Sequence, residues 1–277
     1  MTAAEAMVAA VARLRAAGVP DPARDARLLL AHAAQVDAAR VTLIAPEDIA
    51  PEIAERYDNL VALRAVRVPV SQLIGSREFY GRRFDISNAV LDPRPETEAL
   101  IDAALAESFA TVLDLGTGSG CILITLLAER AETAGLGIDL SEDACLQASA
   151  NAVLHEVADR ARFARSDWFS CVEGRFDLIV ANPPYLAADE MAHVQPELRD
   201  HEPREALTDE GDGLSAYRII AEQAPSFLTA QGRVLAEIGW QQGPQVRAIF
   251  EQQGWAQIAI LPDLDGRDRV ISAAKPN

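Results

Sequence analysis

Asn182-Pro183-Pro184-Tyr185 is the stretch of this chain best equipped for chemistry. Two consecutive prolines lack backbone N–H donors and hold φ fixed, so the turn is stiff and its carbonyls have no ladder partner. Proline also biases the residue before it toward extended geometry, which keeps Asn182 from running on into a helix. An amide side chain, free carbonyl acceptors and an aromatic ring are thereby held at one rigid mouth. Such a set suits a planar group bearing an NH2: two oxygens take its hydrogens, and the ring of Tyr185 stacks on its face or walls it in. Asn182, Pro183 and Tyr185 are the candidate catalytic residues, and with Pro184 they form the candidate target-binding corner. A plain proline-rich turn is the alternative, and what stands upstream weighs against it.

The corner must be positioned by a strand. Phe176-Asp177-Leu178-Ile179-Val180-Ala181 is an apolar run that ends directly at Asn182, which puts the motif where open α/β sheets hold their ligands. A second short run, Thr111-Val112-Leu113-Asp114-Leu115, leads into Gly116-Thr117-Gly118-Ser119-Gly120 and then a helical stretch over 121–130. Glycines at alternate positions let backbone turn sharply and approach a ligand that faces the next helix's N-terminus. The spacing is G-x-G-x-G, one residue shorter than the nicotinamide fingerprint. Asp139 ends the next strand, 23 residues after Gly116, where a carboxylate can accept both hydroxyls of a ribose; a turn or helix-cap role is its rival. After a third strand at 161–165, Asp167 can take an exocyclic adenine amine and Trp168 can pack on the ring, with core packing equally open for Trp168. The candidate cofactor-binding residues are thus Gly116, Thr117, Gly118, Ser119, Gly120, Asp139, Asp167, Trp168 and Asn182.

Together these motifs resemble the S-adenosylmethionine-dependent methyltransferases, among which an Asp, Asn or Ser followed by Pro-Pro and an aromatic marks enzymes acting on planar amino or amide nitrogen. Further stretches narrow the resemblance: Glu78-Phe79-Tyr80-Gly81-Arg82-Arg83-Phe84, Pro93-Arg94-Pro95-Glu96-Thr97-Glu98, His201-Glu202-Pro203-Arg204-Glu205-Ala206-Leu207 and Gly211-Asp212-Gly213-Leu214. The chain is similar over about residues 69–275 to the HemK/PrmC family. That resemblance implies a class I, Rossmann-like α/β domain with a seven-stranded sheet, S-adenosyl-L-methionine as cofactor, and methylation of the glutamine N5 in the Gly-Gly-Gln motif of peptide chain release factors. It also implies that the helical N-terminal domain helps to grip the release factor. Asp92 departs from the family, which usually has an apolar residue before Pro93.

Composition limits the alternatives. With 25 basic against 42 acidic residues the formal charge is −17, which disfavours a duplex-binding enzyme and suits a basic protein partner. A nucleic-acid methyltransferase acting on adenine N6 or cytosine N4 is the rival reading, since its target nitrogen is also planar; no direct nucleic-acid binding is expected. Cys121, Cys145 and Cys171 lack metal spacing and are expected to be buried reduced thiols, consistent with a cytoplasmic protein. Four scattered histidines suggest neither a metal site nor a nucleophilic triad. No stretch approaches a membrane span or a signal peptide, and a monomer is expected.

Along the chain, residues 1–67 are alanine-rich with helical spacing, as at Met7, Val11 and Leu14 and again at Ala26, Leu29, Leu30 and Ala33. Four or five helices are expected there. Residues 68–91 read as a linker with a hairpin turning near Gly81, in which Phe79, Tyr80 and Phe84 are candidates for a wall over the target side chain, or for core anchors. Arg64, Arg67, Arg77, Arg82 and Arg83 read as a solvated face with local ion pairs. Alternating helices and strands over 92–277 predict a parallel, doubly wound sheet closed by an antiparallel final pair.

Overall fold

The computed structural model describes residues 1–276 and divides them into two compact units. One comprises Met1–Ser76 together with Gln195–His201, the other Arg77–Val194 with 202–276.

The first unit is helical, with α-helices at Ala3–Ala16, Pro22–Ala34, Val41–Ile44, Pro51–Ala65, Val70–Ile74 and, from the later segment, Pro196–His201. Its helix starts are written locally. Thr2 and Glu5 form a reciprocal capping box, Asp21 caps the second helix, and Pro22 and Pro51 occupy first turns, where a missing N–H goes unnoticed. Leu14, Ala26, Leu29, Leu30 and Ala33 are buried as their spacing predicts, and Met7 and Val11 lean on the same core. The arginines here depart from the expected solvated face. Arg64 is 5% exposed, and its guanidinium joins Asp25 at 2.7 Å and Glu197 at 2.8 Å. Arg67 clasps the same Glu197 through two nitrogens and holds the Gly18 carbonyl. These charges hold the returning segment Gln195–His201 against the helices of this unit.

The second unit begins at Arg77, within the hairpin of β1 (Ser76–Phe79) and β2 (Arg82–Asp85), whose turn residues Tyr80 and Gly81 both have positive φ, as a two-residue hairpin loop requires. Seven further strands form one sheet: β3 (Thr111–Leu115), β4 (Ala134–Asp139), β5 (Ala161–Arg165), β6 (Phe176–Ala181), β7 (Leu228–Glu237), β8 (Ala256–Pro262) and β9 (Asp268–Ala274). Their order is β5-β4-β3-β6-β7-β9-β8, with β3 to β7 parallel and β9 antiparallel to both its neighbours. The expected class I, seven-stranded architecture is thus present. Both faces of the central strands are covered, so the strands read as continuous apolar runs. Val112, Leu178 and Val180 enter one core cluster while Leu113, Ile179 and Ala181 enter the other, following the two-residue side-chain period.

Candidate active site

From β3 the chain proceeds to β4 and β5 on one side, then crosses to place β6 on the other side of β3. Ligands in open α/β sheets sit at the carboxyl ends of strands flanking such a reversal. Leu115 and Ala181 are register partners there, so Gly116 and Asn182 leave the sheet side by side. Above them opens a cavity of about 510 Å³, within the range typical of small-ligand sites. Of the residues singled out from sequence, Gly116, Thr117, Gly118, Ser119, Asp139, Asp167, Trp168, Asn182, Pro183 and Pro184 line it. Gly120, Tyr185, Phe79 and Phe84 do not.

The glycine loop is pinned from below. The Thr117 N–H donates to the Ile138 carbonyl at 2.8 Å, and its hydroxyl donates to Asp114 Oδ2 at 2.7 Å. Gly116, Gly118 and Gly120 all have positive φ. A Cβ on Gly116 or Gly118 would meet nothing within 4 Å, whereas one on Gly120 would stand 2.8 Å from Ile124 Cδ1 and 3.0 Å from Ala148 Cβ. Gly120 therefore serves close helix packing, not the cavity lining. Asp114 is fully buried and its Oδ1 has no partner, so burial pushes its carboxyl up to about 7 against the hydrogen bond from the Thr117 hydroxyl. A carboxyl raised in this way supports the fold fully below its unfolded pKa, near 4, and that support is lost as pH rises toward about 7. Asp114→Asn keeps the acceptor for Thr117. It should be more stable than the parent by roughly 2–4 kcal/mol at pH 8.5, with the difference shrinking toward pH 5 in denaturant titrations.

Asp139 takes one backbone N–H on each oxygen, from Gly118 at 2.9 Å and Ser141 at 2.9 Å. Ser141 itself caps the helix Glu142–Leu154, so the cap belongs to the serine and Asp139 ties the loop to it. Each carboxylate oxygen keeps a further lone pair for a diol. Next to it, the Ser166 hydroxyl donates to the Trp168 carbonyl and accepts the Cys171 N–H, winding a tight loop in which Trp168 has φ of +47°. Trp168 both lines the cavity and leans on the second core cluster, while Asp167 is exposed at the rim. Ser119 Oγ is buried and unpartnered beside them. A diol acceptor, a rim acid, an indole face and open glycines fit a nucleoside group. Cys121 and Cys145 are buried as expected, but Cys171 is exposed, because it ends the short turn Trp168–Cys171 at the surface instead of joining a core strand.

At the other end of the cavity, Asn182 Nδ2 donates to Thr97 Oγ1 at 3.2 Å, and the Thr97 hydroxyl donates to Glu237 Oε2 at 2.6 Å. Among the described residues no donor meets the Pro183 carbonyl. The corner is fixed from behind by Gln242, whose Nε2 donates to the Tyr185 carbonyl at 2.8 Å, and by Gly213, whose absent Cβ would fall 2.3 Å from that same oxygen. Asp209 organises the approach to Gly213: its carboxylate collects the N–H groups of Gly211, Gly213 and Ser215 and the Ser215 hydroxyl. Partial burial works against ionisation there, but those hydrogen bonds win and bring the group down to about 2. Tyr185 leans on the second core cluster, where burial lifts its phenol above the usual range. Phe79 and Phe84, at 2% and 0% exposure, pack edge to face in the first cluster, so burial assigns them to anchoring the hairpin and not to a wall over a target.

Four pairings were not legible as such in the sequence. Arg94 pairs with Glu202, whose side chain is 1% exposed, and this fastens the segment carrying Pro203 and Arg204 to the loop before Thr97. Arg204 itself pairs with Glu210 at the surface and lines the cavity. Asp92 is buried with one oxygen unpartnered and Arg77 3.9 Å from the other. Thr97, legible in the sequence only as part of the stretch 93–98, is the residue that touches Asn182; Glu98 turns instead to the Tyr80 N–H.

A family model described as the PrmC N-terminal domain matches residues 5–75, and one described as the Methyltransferase small domain matches residues 87–212. A protein of Cereibacter sphaeroides named Release factor glutamine methyltransferase is 55% identical over 276 residues, covering 100% of this chain and 99% of that one. The chain belongs to the release factor glutamine methyltransferase family. A second member of that family, from Agrobacterium fabrum, is 40% identical over 96% of this chain and 95% of its own. Among solved structures, the hMettl16 catalytic domain in complex with MAT2A 3'UTR hairpin 6 superposes with a TM-score of 0.59 at 17% identity, covering 79% of this chain and 82% of that one. A methyltransferase from Pyrococcus furiosus does so at 0.56 and 14%, covering 72% and 91%. At those identities the two likenesses speak to the fold alone. For a release factor glutamine methyltransferase, the PrmC match falls within the helical unit and the other begins in the sheet unit.

Proposed function

We propose that this enzyme transfers a methyl group from S-adenosyl-L-methionine to the side-chain N5 of the glutamine in the Gly-Gly-Gln motif of peptide chain release factors. The full-length likeness to proteins named for that activity supports the reading, and one observation carries it chemically: Asn182 is tied through its NH2 end to Thr97, which leaves its oxygen for an incoming N–H. When bound, the cofactor supplies a methyl already activated by a sulfonium, so no side chain has to generate the electrophile. Asp139 would hold the ribose, Asp167 and Trp168 the adenine, and the loop from Gly116 to Ser119 the remainder.

The chain's task is then alignment. An amide nitrogen is a poor nucleophile because its lone pair is delocalised into the carbonyl. Asn182 Oδ1 and the Pro183 carbonyl each accept one N–H of the target, which points the nitrogen at the methyl and holds it there. The same oxygens stabilise positive charge gathering on nitrogen in the transition state, where such contacts raise turnover. The surplus proton leaves to water afterwards, so no general base is needed. Tyr185 backs the corner from the core side. The helical unit, residues 1–67 in particular, helps to grip the release factor, and the acidic surface favours a basic partner. Residues 68–91 link it to a methyltransferase domain over 92–277, and translation termination in the cytoplasm, as a monomer, is the setting. Among the described residues no helix is long and apolar enough to cross a membrane.

The test is transfer of labelled methyl from S-adenosylmethionine to a Gly-Gly-Gln-bearing release factor, with oligonucleotides as competing acceptors. Label should appear on the factor and vanish when that glutamine is replaced by alanine. Label on the oligonucleotides, or on a factor lacking the glutamine, would overturn the assignment.

A further inference from the structure

A carboxamide has two ends, and only its oxygen can accept an N–H from a target amide. Presented the other way round, Asn182 would offer two donors to a group that is itself a donor. What fixes the choice lies behind it. Thr97, 2% exposed, has a single hydroxyl proton, directed to Glu237 Oε2 at 2.6 Å. Only lone pairs remain on that hydroxyl for Asn182, so only the NH2 end of the carboxamide can face it, at 3.2 Å. Glu237 sits at the end of β7, 1% exposed and outside the cavity lining, while Thr97 lines the cavity beside Asn182.

We propose that Thr97 and Glu237 are positioning residues: the ionised carboxylate of Glu237, acting through the Thr97 hydroxyl, locks the Asn182 carboxamide with its oxygen toward the reacting nitrogen. The inference rests on the proposed transfer to an amide. It makes the orientation depend on a proton. A protonated Glu237 can donate to Thr97, whose own proton then turns to Asn182 and draws the carboxamide oxygen backward, leaving the NH2 end toward the target. Arg269 and Arg94 favour the ionised carboxylate and Glu96 opposes it, while the nearby phenols of Tyr185 and Tyr217 and the Cys121 thiol stay neutral. Burial outweighs the rest and pushes Glu237 up to about 7, so the switch falls in the neutral range. Asp114 titrates in the same range but under the glycine loop, bonded to Thr117 and not to Asn182.

The experiment compares the parent with Thr97→Val, Thr97→Ser and Glu237→Gln. Its readouts are kcat and KM for the amide target, binding of S-adenosylhomocysteine by calorimetry, and the side-chain NH2 resonances of Asn182 in 15N-asparagine-labelled protein between pH 5.5 and 8.5. Thr97→Val should lose about 10–100-fold in kcat with S-adenosylhomocysteine binding within about threefold, and Thr97→Ser should recover most of the loss. In the parent, kcat should rise with pH through about 7 and the Asn182 NH2 signals should shift over the same interval. Glu237→Gln should abolish both, while Asp114→Asn should leave the resonance shift in place. A Thr97→Val enzyme with parental kcat, a serine variant that fails to recover, or Asn182 signals that ignore both pH and Thr97 would overturn the proposal. The resonances need no turnover, so they decide the relay even if release factors prove not to be the target.

Discussion

Asn182→Ala should lower kcat for release-factor methylation by about two to three orders of magnitude, while cofactor affinity changes by no more than about threefold. The asymmetry follows from where the residue stands. Many residues line the cavity, from Gly116 and Asp139 to Trp168, and Asn182 is only one of them at its far end. Its oxygen, by contrast, is in the proposed mechanism one of two acceptors for the target's N–H groups, and their contribution would grow as charge develops on nitrogen. Losing it leaves the Pro183 carbonyl to hold the amide alone, free to pivot about a single hydrogen bond. Single-turnover rates set against calorimetric binding of S-adenosylhomocysteine separate the two quantities. Equal losses in both would mean that Asn182 serves the cofactor and not the transferred methyl's destination.

The largest effect on stability should come from Arg64→Ala in the helical unit. Its guanidinium meets Asp25 at 2.7 Å and Glu197 at 2.8 Å, with all three side chains 10% exposed or less. Removing one partner of a buried ion pair leaves an uncompensated charge, and a loss of about 3–5 kcal/mol is expected. Glu197 keeps Arg67, so Asp25 is the group stranded, and a double variant with Asp25→Leu should recover much of the loss. Although burial alone would raise its pKa, Glu197 is held below the usual carboxylate range by the hydrogen bonds from Arg67 and Arg64. Its stabilisation is therefore present above the unfolded carboxyl pKa and fades as pH falls through the folded one. Hydrogen exchange of the helices Pro22–Ala34 and Pro51–Ala65 reads this unit directly, which a global denaturation curve of two units does not. Unchanged protection in the alanine variant would show that the charges cluster there without supporting the helices.

Whatever depends on short-range order could be read from the chain alone. Helix starts at Thr2, Asp21 and Pro51, the hairpin turn at Gly81, the strand-to-glycine-loop transition at Gly116 and the stiff corner at Asn182 are each written within a few residues, because capping, φ preference and side-chain period are local properties. Repetition of such units on a parallel sheet then allows few topologies, so the location of the cavity followed. Tertiary structure alone decided which groups face which. Asn182 and Thr97 are 85 residues apart and Thr97 and Glu237 are 140 apart, so no periodicity relates them. Arg64 is buried because Glu197 returns from 133 residues away, and Phe79 and Phe84 are core residues because helix and sheet close over the hairpin. An amide's two ends differ only in which one donates, and a guanidinium is equally at home in water or between carboxylates. For such groups the outcome is set by partners that only folding assembles.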